Sequence, residues 1–430
     1  MKSLDRLTFV AASVLLLVFG LVVFHAPLSV FFSQFLPESI IKAWKEILLI
    51  LVVPLVVFLL QRADLLKKLS RDLLLQVIAA YILLHILLVL LIDTNQYQKL
   101  AGLAIDLRYI VFFVLVYAII ILAPSLRALF LKVGAVAAGL SLSFAALQAT
   151  VLPHDILKYL GYSKDTIEPY LTVDKNNDYI RINGTFRGPN PLGAYAVIFL
   201  SLVLSFFLKR KQTFMKHKWQ TALFVLFALL ALWASYSRSA LLALGVSIVV
   251  ILSLVFVKNI KLRYWFVLLI IAATLAASAI SMRDSSFIQN VVLHNNPNGG
   301  SSVDSNDGHI TSLENGVEQV ILHPYGSGIG SAGSASLKSD YPNIVENQYL
   351  FIAHETGWLG LGLFIVICEI ILWRLYQTRR DWLSLGVFAS GIGLLVIGLL
   401  LPVLADDSIS LIWFGLAAVA LASHYKVGKK

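Results

Sequence analysis

The sequence predicts an all-α, polytopic transmembrane helix bundle, and three observations carry that prediction. First, the 430 residues are 59% hydrophobic and only 13% charged, about half the charged share of a soluble domain. Second, the apolar residues run in continuous blocks of about 20, the length that carries a helix across the hydrocarbon core. They do not alternate as the strands of a membrane barrel do. Third, Lys and Arg collect on one side of the resulting zigzag, which is the pattern that sets topology. A soluble enzyme, a disordered chain and a single-anchor protein are excluded. The lone cysteine, Cys368, can form no internal disulfide and so says little about compartment.

Taken in order, the spans fall near 7–25, 40–60, 73–92, 103–123, 128–150, 190–208, 219–235, 239–257, 264–281, 347–373, 382–403 and 408–424, about 12 in all within one integral domain, 1–430. The first run leads into Phe24-His25-Ala26-Pro27 without a small-x-small cleavage site, so it reads as a span and not as a removed signal peptide. Lys42, Lys45 and Glu46 load one end of the second. With both termini cytoplasmic, the inner ends hold 22 of the 34 basic residues and four acids, or +18, and all other positions sum to −8. Two long hydrophilic segments then lie outside: 151–189, and a large extracytoplasmic loop, 282–346, between spans 9 and 10. The inner loops are short and basic and hold no Walker-type glycine loop. Chemistry is therefore expected on the outer side, without ATP.

Charges within the spans read as few: Glu46, Glu369 and His85. Because a midbilayer charge costs about 2.5–3.5 kcal/mol even on a lenient scale, ion-coupled transporters carry several. Here the polar residues gather instead at the outer rim, as in an enzyme that works on a lipid headgroup. The first rim cluster is Arg181-Ile182-Asn183-Gly184-Thr185-Phe186-Arg187-Gly188-Pro189-Asn190-Pro191-Leu192-Gly193. Pro191 suits the first turn of a helix, where its missing N–H costs nothing. The outward N-terminus offers free N–H groups to an anion, and Arg181 and Arg187 add forked donors; an ordinary basic loop with a helix cap fits the same spacing. The second is Ser235-Tyr236-Ser237-Arg238-Ser239-Ala240-Leu241-Leu242. Arg238 stands between two apolar spans with almost no loop, placed either to snorkel to headgroups or to clamp phosphate oxygens bidentately. The third combines Asp307-Gly308-His309, the run His323-Pro324-Tyr325-Gly326-Ser327-Gly328-Ile329-Gly330, and Glu346-Asn347-Gln348-Tyr349-Leu350. At 100° per residue, Gly357 and Gly360 fall within about 40° of Glu346 and predict a smooth stripe beneath it. Glu346 at a helix start is either a cap favoured by the dipole or a general base.

These motifs, in this order, resemble the O-antigen ligase and polymerase superfamily, polytopic enzymes that move glycans from undecaprenyl pyrophosphate to an acceptor. The likeness runs from Arg181 to Gly360 through Arg187–Gly193, 235–242, 323–330 and Glu346-Asn347-Gln348-Tyr349-Leu350 with Glu355-Thr356-Gly357-Trp358-Leu359-Gly360. Arg238 and Leu242 match the family's Arg-x3-Leu element, which implies binding of the donor pyrophosphate. Asn347, Gly357 and Gly360 match the spacing of its ligase signature, with Glu346 where that signature has histidine. His309 stands nearest to the second arginine the family carries before the His-Pro-Tyr-Gly run.

The resemblance implies a metal-independent glycosyltransferase of the bacterial cytoplasmic membrane, with no cofactor. Its partners are an undecaprenyl-pyrophosphate-linked glycan, a hydroxyl acceptor (lipid, glycan or protein) and membrane lipids, with no nucleic acid. Arg238, Arg187, Arg181 and Asn347 are the candidate substrate-binding residues, and Glu346, His309 and His323 the candidate catalytic ones. Two other readings remain: a flippase of the same amphiphile, and a non-catalytic relative of the same fold.

Overall fold

The computed structural model describes residues 5–173, 175–256, 285, 305–337 and 342–425; the expected ninth span at 264–281 lies outside the described residues. The principal helices are α1 (Arg6–Leu21), α2 (His25–Phe32), α3 (Trp44–Arg62), α4 (Leu73–Leu91), α5 (Gln96–Leu122), α6 (Leu126–Thr150), α7 (Pro189–Lys209), α8 (Lys218–Ala234), α9 (Arg238–Phe256), α10 (Ser305–Leu322), α11 (Gln348–Gln377), α12 (Trp382–Gly398) and α13 (Asp407–Ala422). Eight helical runs among the described residues are long and apolar enough to cross a membrane, with α1 and α2 counted as one run, and α8, α12 and α13 are shorter apolar helices. Every expected span but the ninth coincides with a helix.

Capping residues explain where the helices begin. The side chain of Asp72 accepts from Leu74 N and starts α4. Asn95 and Gln98 form a reciprocal capping box that starts α5 at Gln96, seven residues before the apolar window opens at 103. Helix α7 opens at Pro189, two residues ahead of the expected Pro191, where the missing N–H is no loss. The centre of the bundle is α13, in which every residue from Asp407 to Ala422 is buried, as a helix apolar on all sides must be. It lies along α5, where Phe414 packs on Tyr109 and Phe113 at ring distances of 4.7 and 6.3 Å. A second group, α7, α9 and α12, closes through small residues. A Cβ added to Gly193 would meet Ala240 at 2.8 Å, and one added to Gly393 would meet Ser247 Oγ at 2.6 Å.

The all-helical expectation needs one correction. Within the segment expected as the 151–189 loop, β1 (Tyr170–Val173) pairs antiparallel with β2 (Asn176–Ile182), Tyr170 opposite Ile182. Tyr170, Thr172 and Val173 in β1 and Tyr179, Ile180 and Ile182 in β2 are aromatic or β-branched, which suits a half-buried ribbon. The other long segment, 282–346, likewise holds regular structure in α10.

Candidate active site at the rim of the bundle

Helices α3, α5, α7, α9, α11 and α13 all begin at one end of the bundle, here called the rim, and side chains tie their first turns together. Asn347 Nδ2 donates to Leu399 O at 2.8 Å, and Gln348 Oε1 accepts from Leu404 N at 2.8 Å, so the start of α11 is fixed to the connection before α13. Arg108 of α5 donates to Ala405 O in the same connection at 2.5 Å.

Arg181 lies on β2 and reaches across to both neighbouring motifs. Its Nε donates to Ser235 O at 2.9 Å and its Nη2 to Asn190 Oδ1 at 2.7 Å. The backbone that follows is pinned to α6 and to the chain before β1: Gly184 N donates to Gln148 Oε1 at 2.9 Å, and Asn183 Nδ2 to Glu168 O at 2.7 Å. This delivers Arg187, exposed, to the mouth of α7. Its charge acts on Asp406 in the connection before α13.

Arg238 is half-buried and opens α9 just after Tyr236, whose φ of 48° makes the turn from α8 abrupt. Ser235 Oγ donates to Leu232 O at 2.7 Å and accepts from Ser237 N at 3.2 Å, and Ser237 and Ser239 lie 3.2 Å apart through their hydroxyls. The serines thus hold the turn that presents the arginine. Arg181, Arg187 and Arg238 are therefore brought to adjoining first turns of α7 and α9.

In the third motif the smooth stripe beneath Glu346 is overturned. Helix α11 is broken at Gly357, with φ 67° and ψ −172°, so its two halves do not share one face. The run 323–330 enters the break: Ser327 N donates to His354 O at 2.7 Å, Gly328 N to Glu355 O at 3.2 Å, and Trp358 N to Pro324 O at 3.1 Å. Three backbone groups beside the break thus find partners inside protein, the condition for irregular chain at membrane depth. Glycine is required on both sides of the joint, because a Cβ on Gly326 would meet Glu355 O at 2.6 Å and one on Gly357 would meet Pro324 O at 2.4 Å.

Glu346 is half-buried and precedes the cap of α11. Asn347 is that cap: its Oδ1 accepts from Tyr349 N and Leu350 N at 2.9 and 3.0 Å, while its Nδ2 is taken by Leu399 O. Its amide is thus occupied in fixing the helix. His323 is exposed just past α10. His309 falls on the backbone of α10, and its side chain lies outside the described residues.

The expectation of few charges within the spans is also corrected. Lys45 is 1% exposed, and its Nζ lies 3.0 Å from Asp407 Oδ2, 3.3 Å from Glu46 Oε1 and 2.9 Å from Lys42 O. Arg108 stands 3.5 Å from the same Glu46 oxygen. Trp44 Nε1 donates to His25 Nδ1 at 2.9 Å, which leaves the proton of a neutral ring on Nε2, 2.9 Å from Asp407 Oδ2. Deeper in, Asp106 is buried beside His85 at 3.5 Å and beside Glu355, whose Oε1 accepts from Ala332 N at 3.1 Å. The pairing of these residues was hidden in the sequence because each looks isolated in an apolar run, and its partner is on another helix. Lys45, Glu46 and His85 were visible as charges at or within spans, and the adjacent acids Asp406-Asp407 after Pro402 were a further signal that the sequence reading missed. Burial pushes the Asp406 carboxyl up to about 6 and the neighbouring Asp407 adds to the rise, while Arg187 and Arg108 pull it down.

Residues 222–365, a third of the chain, match the family model described as O-antigen ligase. The match includes Arg238, His309, His323, Glu346 and Asn347, and begins after Arg181 and Arg187. It supports the O-antigen ligase and polymerase superfamily as the family to which this chain is related. No curated protein matches the chain.

Proposed function

With an O-antigen ligase domain as the premise, we propose that the chain is a multi-pass membrane glycosyltransferase of the ligase or polymerase type. It takes a glycan from an undecaprenyl-pyrophosphate donor and passes it to a hydroxyl acceptor on a lipid, glycan or protein. The rim faces the outer side of the cytoplasmic membrane, and both termini face the cytoplasm. The observation that supports this reading is the gathering of Arg181, Arg187 and Arg238 at adjoining helix starts, with Glu346 at the start of α11 on the same end.

In the reaction, the acceptor oxygen bonds to the anomeric carbon as the bond from that carbon to the phosphate oxygen breaks. The electron pair leaves on the lipid pyrophosphate, whose growing charge Arg238 neutralises with Arg181 and Arg187. The hydroxyl proton passes to Glu346, our first choice of base, ahead of His309 and the exposed His323; such a base contributes about 10²–10⁴-fold.

Replacing Arg238 with Ala and following consumption of lipid-linked oligosaccharide tests the proposal: turnover falls while protein level holds. Unchanged turnover at unchanged level overturns it. Transport of the same amphiphile is favoured by one observation, the buried Asp106, His85 and Glu355 between helices α4, α5 and α11, since such residues mark passages through membranes. Purified protein in vesicles, supplied with donor and acceptor, separates the two readings: a new glycosidic product supports transfer, and donor moved without product supports transport.

A further inference from the structure

Behind the turn that carries Arg238 lies a cavity of about 220 Å³ that the transfer chemistry leaves unused. It opens between the end of α6, strand β2 and the end of α8, and is lined by His154, Asp178, Ile180, Ile182, Trp233 and Tyr236. Drug-sized ligands occupy about 300–1,000 Å³, so this space suits a single small ring. Its chemistry is mixed in a specific way. Trp233 is 57% exposed, and its ring lies 6.3 Å from that of Tyr236, which is itself 6.2 Å from Tyr179. In the same lining, the side chains of Asp178 and His154 are exposed and make no hydrogen bond or ion pair among the described residues.

A pyranose ring has the complementary surface. Its C–H face packs on an aromatic ring, its neighbouring hydroxyls donate to one carboxylate, and an imidazole can either donate or accept. Position favours the same ligand. Ser235 O holds Arg181, and Tyr236, the next residue, lines the cavity. The cavity therefore borders the turn that ties Arg181 and presents Arg238, within reach of a glycan held there by its pyrophosphate.

We propose that the cavity is a subsite for a sugar ring of the donor glycan, with Trp233 and Tyr236 as its stacking wall and Asp178 and His154 as its hydroxyl partners. This rests on the transferase reading above. The probe is the free oligosaccharide released by mild acid from the cell's own lipid-linked pool, which lacks both pyrophosphate and lipid. It is titrated against the full-length protein in lipid nanodiscs, with binding read by calorimetry. Binding is expected in the wild type, in Trp233→Phe and in Arg238→Ala, and weakened about tenfold or more in Trp233→Ala and in Asp178→Ala. The KM for the lipid-linked donor rises alongside in the last two.

Asp178 is itself exposed on β2, so Asp178→Ala keeps the test decisive where Trp233→Ala fails to fold. Absent binding in the wild type, or equal binding in Asp178→Ala, overturns the subsite. Were Trp233 and Tyr236 interfacial anchors only, Trp233→Ala would lower the melting temperature and leave binding intact, which also overturns it. If the subsite fails while Arg238→Ala still stops turnover, the transferase stands. If Arg238→Ala turns over normally, the transferase reading falls independently.

Discussion

The two ends of the bundle use charge differently. At the end away from the rim, acids and bases sit mostly in couples: Arg374 grips Asp72 with two bonds of 2.8 and 2.7 Å, Arg62 meets Asp5 at 2.6 Å, and Arg127 meets Asp381 at 2.7 Å, with His424 at the 4.0 Å margin of the same oxygen. At the rim, partners are shared. Lys45 serves both Asp407 and Glu46, Glu46 is shared with Arg108, and Asp407 is shared with His25. Oxygens of Glu46 and Asp406 and the Nε of Arg108 are left over, whereas among described ionisable groups the far end leaves only Arg127 Nε. Discrete couples tie helix ends together and ask for nothing more. A shared, incompletely satisfied network in a low-dielectric setting is costly to hold, and it lies beside the arginines proposed to meet the substrate.

The largest expected effect tests the network itself. Lys45→Ala removes the cation that two buried acids share, leaving Glu46 to Arg108 and Asp407 to His25, and the melting transition in detergent should report a loss of about 3 kcal/mol. Arg62→Ala, at the exposed couple, should cost at most about 1 kcal/mol. Equal losses would erase the contrast between the ends. Next comes Arg238→Ala, expected to lower donor turnover by about 10²–10³-fold, the usual consequence of removing one charge-stabilising donor, with the melting temperature unchanged. A matching loss of stability would recast Arg238 as a structural residue.

Gly357→Ala forces a side chain into a left-handed backbone and against Pro324 O. A destabilisation of about 1–3 kcal/mol is expected, with faster amide exchange at 326–328; unchanged exchange there would mean that the joint is not held by the glycine. The smallest effect concerns Asp406. Its carboxyl titrates at about 6, above the roughly 3.9 of an unfolded chain. The stability linked to that proton is therefore complete below about 4 and lost as pH rises through about 6. The rim also becomes one charge more negative over that interval, so donor KM should rise a few-fold. Asp406→Asn should flatten both profiles, and a profile identical to wild type would assign the titration elsewhere.

Much of the architecture was legible because hydropathy and caps act locally. The apolar run 190–208 and the prolines at its head specify α7 to within two residues, without reference to any other helix. The rim motifs were legible too, since arginines and glycines at the borders of apolar blocks have few places to go. What escaped were properties of pairs. Nothing in the sequence around Arg108 points to Glu46, 62 residues away, and nothing around Asp106 points to Glu355. The break at Gly357 was equally hidden: glycine in a helical run reads as a smooth surface until a second segment arrives to occupy the gap. The hairpin at 170–182 was obscured by its polar residues, which made it look like plain loop.

The joint between 324–328 and 354–358 is fastened entirely through main-chain atoms, with glycines supplying clearance. It therefore records where two segments meet without recording which side chains they bear, and the intervening residues are at liberty to diverge. Chimeras built between relatives would have to transplant both halves as a single cassette, because neither retains its shape when the other is missing.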